Sequence, residues 1–126
     1  MASALCTVSD PQKNKLYAGR HLTKVTWAWT SATGGTVTST VSKTTFTITG
    51  FVAQVSIKPG AATPTSYNMT LKDSWGRTIA LKAAASTTAV EDLDADYYIW
   101  NDTLEVAIDS AGDEKTGHVI AYIVTQ

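Results

Sequence analysis

The stretch Thr45-Phe46-Thr47-Ile48-Thr49-Gly50-Phe51-Val52-Ala53-Gln54-Val55-Ser56-Ile57-Lys58 alternates apolar and polar side chains and changes phase partway along. Phe46 and Ile48 fall on even positions, whereas Phe51, Ala53, Val55 and Ile57 fall on odd ones. Successive side chains of a strand point to opposite faces, so a slip of one residue exchanges the buried face and the wet one. Gly50 marks the change, which predicts a bulge there or a strand passing from one sheet to another. Either suits the corner of a β-sandwich.

The same period runs outward in both directions. Val25, Trp27 and Trp29 share one face against Lys24, Thr26 and Ala28 on the other, which assigns the two tryptophans to the core. Ser31-Ala32-Thr33-Gly34-Gly35 breaks that strand, and Thr36 to Val41 resumes as a polar strand, predicting a hairpin. Tyr67, Met69 and Leu71 alternate inward, Asp73-Ser74-Trp75-Gly76-Arg77 reads as a tight turn, and Ile79 and Leu81 return on one face. Lys82 to Val90 is weakly patterned and reads as a loop or irregular edge. Glu91 to Asp96 reads as an acidic loop leading into Tyr97-Tyr98-Ile99-Trp100, where Tyr98 and Trp100 share a face and Tyr97 takes the other. Asn101-Asp102 starts a turn, Leu104, Val106 and Ile108 alternate, and His118 to Val124 is apolar on both faces, as a central strand should be.

Threonine, 21 of the 126 residues, is the commonest residue, and its branched Cβ and hydroxyl fit a pleated, half-wet surface. The expected fold is all-β: an antiparallel β-sandwich of about eight short strands, residues 22–126, preceded by an irregular N-terminal arm, residues 1–21. A chain of this length buries about 65–70% of its unfolded surface, enough for one core. Cys6 is the only cysteine, so no intrachain disulfide exists and none is needed.

Ten basic and eleven acidic residues give a net charge of −1, scattered along the chain, which offers no footprint for nucleic acid or anionic lipid. No segment approaches the ~20 apolar residues of a membrane-spanning helix, and Met1 to Val8 lacks the basic lead and apolar run of a signal peptide. The expectation is a chain that is made and stays soluble, without nucleic acid or membrane as partner.

Catalysis finds little support. His21 and His118 are the only histidines, neither sits in a recognisable motif, and G-x-S-x-G, P-loop and H-E-x-x-H patterns are missing. Asp92, Asp94 and Asp96 repeat the opening spacing of an EF-hand loop, but Tyr97 stands where that loop needs Gly and Thr103 where it needs Glu. Neither a catalytic residue, a cofactor nor a metal is assigned. Asn68-Met69-Thr70 and Asn101-Asp102-Thr103 fit the glycosylation pattern and carry no weight without a secretion signal. Trp75 has two readings: folded back over its own hairpin, or an anchor for a protein partner. A sugar-stacking platform from Tyr97, Trp100 or Trp75 is a further alternative.

Lys24 to Trp29, Gly50 to Gly60 with Pro64, Tyr67-Asn68-Met69-Thr70-Leu71-Lys72-Asp73, and Gly112-Asp113-Glu114-Lys115-Thr116-Gly117-His118-Val119-Ile120 together resemble small virion proteins of tailed bacteriophages. The resemblance spans most of Leu22 to Val124. Trp75, in a turn where small or acidic residues are usual, and Ala83-Ala84-Ala85-Ser86 depart from it. The resemblance implies a non-enzymatic structural subunit repeated on the capsid surface of the virion. Its first expected role is a capsid decoration (cement) protein bound to the major capsid protein, to sister copies or to both, as a homo-oligomer such as a trimer or ring. A neck or tail subunit and a carbohydrate-binding module are the alternatives. The arm is expected to drape over neighbours, which nominates Leu5, Val8, Pro11, Leu16, Tyr17 and, from the exposed turn, Trp75 as partner-binding residues.

Overall fold

A computed structural model describes residues 5–8, 12–15, 19–30, 40–44, 46–60, 67–85, 90–109 and 115–125. Among these, ten strands form two antiparallel sheets, as the alternation requires. The strands are β1 (Leu5–Val8), β2 (Gln12–Lys15), β3 (His21–Thr30), β4 (Thr40–Lys43), β5 (Ile48–Pro59), β6 (Tyr67–Asp73), β7 (Thr78–Ala85), β8 (Glu91–Asp102), β9 (Leu104–Asp109) and β10 (Thr116–Thr125). The larger sheet runs β1-β3-β10-β5-β8, with β2 also on β3, and the smaller runs β4-β9-β6-β7.

The inward faces make one core. Trp27, Val119, Val52, Val55 and Ile57 from the large sheet lie opposite Tyr67, Met69, Leu71, Val106 and Ile108 from the small one, all essentially inaccessible to water. Trp29 and Tyr67 meet across it with ring centroids 5.2 Å apart and planes tilted by 58°, within the preferred range for aromatic pairs. β10 is central, paired with β3 and β5, and it buries one face fully while the other, with Ile120, Tyr122 and Val124, is half-buried. Gly117 on β10 is required by this packing, because a Cβ there would run into the Trp29 indole.

Several expectations need correction. The arm is not irregular throughout: β1 pairs with Trp27 to Thr30, and β2 pairs with His21 to Lys24 of the same strand. Three residues separate Val8 from Gln12, while two separate their partners Trp27 and Lys24, so the two pieces trace one edge strand with a one-residue offset. Nor do β3 and β4 form a hairpin: β4 belongs to the other sheet, antiparallel to β9. All of the hairpin's expected turn, 31–35, and residues 36–39 of its second strand lie outside the described residues.

The phase of β5 does change, but at Ala53 rather than Gly50. Ile48, Gly50 and Val52 are buried before the switch and Val55 and Ile57 after it, and Ala53 is the extra residue between Val52, opposite Ile123, and Gln54, opposite Tyr122. Phe51 is larger than Val52, so size alone pointed the wrong residue inward. Gly50 has another reason to be glycine: a Cβ there would strike the Val124 carbonyl of β10. On β7, Ile79 and Ala80 are both buried and Leu81 is 60% exposed, so Leu81 does not share the inward face with Ile79. The pairings Leu71 with Ala80 and Lys72 with Thr78 leave Ile79 as a bulge that turns the rest of the strand over. Strand structure also continues to Ala85 with a further register shift, so the first part of the segment read as a loop or irregular edge is irregular edge strand.

Candidate partner-binding surface

Asp73 ends β6 and builds the corner that follows. Gly76 donates its backbone N–H to the Asp73 carbonyl at 3.1 Å and takes φ of 82°, so the hairpin closes through a left-handed glycine. The Asp73 carboxylate is buried and accepts four hydrogen bonds: from the backbone N–H of Trp75 at 3.0 Å and of Arg77 at 2.9 Å, from Arg77 Nε at 3.0 Å, and from the Tyr97 hydroxyl at 2.8 Å. The last of these joins the two sheets, because Tyr97 points inward from β8.

Burial by itself would raise the Asp73 carboxyl. The Arg77 amide, the Tyr97 hydroxyl, the Trp75 amide and the Arg77 charge outweigh it and hold the group below the ordinary carboxylate range. The hydrogen bond to Asp73 in turn raises Tyr97, with burial and the Asp73 charge adding to it. The turn is therefore rigid, yet its side chain projects outward: Trp75 is 81% exposed, which excludes its folding back over the hairpin.

The stacking alternative named Tyr97, Trp100 or Trp75; the fold brings Trp75, Tyr98 and Trp100 to one hollow, with Tyr97 turned inward beside it. Tyr98 and Trp100 share the outer face of β8 as expected and are 61% and 74% exposed. They line an open hollow of about 270 Å³ together with Trp75, Arg77 and Asp102. Two bulges bracket them. Ala95 and Asp96 oppose Ala53 alone, Trp100 and Asn101 oppose Thr49 alone, and the backbone is left-handed at Asp96 (φ 53°) and Asn101 (φ 44°). Asn101 is held there by its N–H donating to Thr49 Oγ1 at 2.7 Å and by Thr47 Oγ1 donating to its Oδ1 at 2.9 Å. Bulges of this kind re-aim side chains, here Tyr98 between the two and Trp100 within the second.

A second hollow of about 170 Å³, lined by Arg20, Thr49, Phe51, Tyr98 and Val124, opens beside the first. Tyr98 borders both. The ladder explains the lining, since Leu22, Val124, Phe51 and Tyr98 stand in one cross-strand row.

The other nominated residues lie elsewhere. Leu5 and Val8 are on β1, at the opposite edge of the large sheet from β8. Pro11, Leu16 and Tyr17 lie outside the described residues. Asp92, Asp94 and Asp96 stand on β8 rather than in a loop, and alternation turns all three to solvent. Neighbours on such a face are about 6.5–7 Å apart along the strand, and Asp92 accepts a hydrogen bond from Ser56 Oγ of the neighbouring strand. No group of three metal-ligating side chains occurs among the described residues. His21 and His118 are seven ladder positions apart on neighbouring strands, about 23 Å, so they do not form a pair.

No protein-family model and no curated protein match the chain. Among solved structures, it is similar to a carbohydrate-binding module of the β-sandwich superfamily described as promiscuous in specificity, at 13% identity and a TM-score of 0.42. That match covers 98% of this chain and 54% of the other. The enzymatically active domain of tailspike protein 4 from bacteriophage CBA120 is similar at 14% identity and a TM-score of 0.39, covering 99% of this chain and 18% of the other. The chain thus spans about half the length of the first and under a fifth of the second.

Proposed function

We propose that the protein is a non-enzymatic virion structural protein of a tailed phage, a capsid decoration (cement) protein that sits on the lattice of the major capsid protein. The observation that carries this reading is the place of the N-terminal segment. β1 and β2 form the outer strand of the large sheet, and no strand other than β3 pairs with them among the described residues. An edge of this kind can accept a strand from a capsid subunit or a sister copy by main-chain hydrogen bonding. The resemblance of residues 22–124 to small virion proteins supports the same role, and the shared core makes the sandwich a stiff spacer between the attached edge and the far corner.

Binding of the purified protein to undecorated capsids, followed by imaging of the particles and hydrogen exchange across residues 5–15, tests the proposal. Density on the capsid lattice with slowed exchange in β1 and β2 is the expected result. Lattice density with unchanged exchange in those strands would sink the edge as the attachment site, and density confined to the neck or tail would replace decoration with the rival role.

A further inference from the structure

We infer that the corner at β8 is a carbohydrate-binding site that takes a chain of neutral pyranose sugars across the two adjoining hollows. It goes beyond the attachment reading and uses the opposite edge of the molecule, so either can fail without the other.

Four observations converge on this ligand chemistry. Trp75, Tyr98 and Trp100 expose large aromatic surfaces that no described residue covers, at a cost in exposed apolar area that a fold otherwise avoids. They rest on a turn and a strand held by named hydrogen bonds, so their positions are set before any ligand arrives. Polar groups share the same rim. Arg77 is largely exposed and uses Nε on Asp73, which leaves the other guanidinium donors for a ligand, and Asp102 accepts from the Thr103 N–H through one oxygen, which leaves the second. Aromatic faces meet the C–H faces of a pyranose, and the flanking donors and acceptors meet its hydroxyls.

Size and arrangement narrow the class. Each hollow is smaller than the roughly 300–1,000 Å³ of a drug-sized pocket and suits one ring. Two such hollows sharing Tyr98 suit consecutive rings of an oligosaccharide. Charges around them are mixed, with Arg20 and Arg77 against Asp73 and Asp102, which favours an uncharged ligand over a polyanion. A flat protein partner would leave both hollows unfilled.

The test is an array of neutral hexose and N-acetylhexosamine oligosaccharides of two to six units, followed by titration of the best binder against the full chain. Trp75→Ala, Tyr98→Ala and Trp100→Ala each should weaken binding about tenfold, while Leu81→Ser, an exposed apolar residue on β7, should leave it unchanged. Because the three aromatics are exposed, their variants should melt within a few degrees of the parent, which the same samples report. Capsid occupancy of Trp75→Ala/Trp100→Ala should equal that of the parent. No binding anywhere on the array, binding that survives the double substitution, or loss of capsid occupancy in that variant would each overturn the inference.

Discussion

Asp73 shows how one carboxylate can do structural work that a turn signature only hints at. Its folded value is depressed, so its contribution is fully present above the unfolded value of 3.8 and is lost as pH falls through the lower folded value. Asp73→Asn should reduce stability at pH 7 by about 2–3 kcal/mol, because hydrogen bonds to a charged acceptor are the strong kind. Denaturant titrations at pH 7 and pH 3 should show this deficit shrinking in acid. Tyr67 carries the opposite dependence. Burial, with the Glu91 charge second, pushes it up to about 12 from 10.0, so its share of stability is intact below pH 10 and is lost as pH rises through about 12. Its hydroxyl has no hydrogen-bond partner among the described residues. Tyr67→Phe should therefore leave stability at pH 7 equal or higher and flatten the loss between pH 10 and 12, measured by denaturant midpoints.

At the scale of the strand, alternation located most elements and then misplaced residues wherever a bulge intervened. β3, β6, β9 and β10 bury the residues their period predicts, because each runs without a bulge through its inward positions. β5 and β7 do not keep one phase, whereas β8 keeps its phase from Glu91 to Trp100 through the bulge at Ala95 and Asp96, since whether an extra residue is absorbed depends on the partner strand. The consequence is sharpest on β7. Ile79→Ala should cost about 2–4 kcal/mol, and Leu81→Ala, of the same hydrophobic class two positions on, less than about 0.5 kcal/mol. Equal losses at the two sites, by urea unfolding, would rule out the bulge. The acidic run shows the same limit. Its alternation Glu91-Asp92-Leu93-Asp94-Ala95-Asp96 is a strand pattern with a wet face, but charge density made it read as a loop.

For the whole molecule, the chain passes repeatedly between sheets, and its last strand is the middle of the larger one. β10 pairs with β3 and β5, so the two halves of that sheet are joined only by the last of its strands to be made. Such non-local pairing predicts folding in milliseconds to seconds rather than microseconds, to be read by stopped-flow tryptophan fluorescence. A chain ended at residue 114 should show no cooperative unfolding at all, since removing β10 exposes Trp27, Val55 and Ile57 together. The seam at the other side is weaker. The Lys82–Glu91 pair at 3.3 Å is partly exposed and is worth at most about 1 kcal/mol, which leaves the Tyr97–Asp73 bond as the firmer tie between the sheets there.

By itself the sequence determined the class of fold, the core tryptophans, the central place of the last strand and the shared face of Tyr98 and Trp100, because each follows from a period of two that any sheet imposes. Only the tertiary structure decided the sheet order, the edge strand made by the N-terminal segment, the bulges at Ala53 and Ile79, and the meeting of Trp75 with β8. Those depend on which strands pair and in what register, and registers are chosen by packing between residues far apart in the chain. The candidate site is therefore legible in the sequence as separate aromatics, and becomes a site only where two hollows share Tyr98.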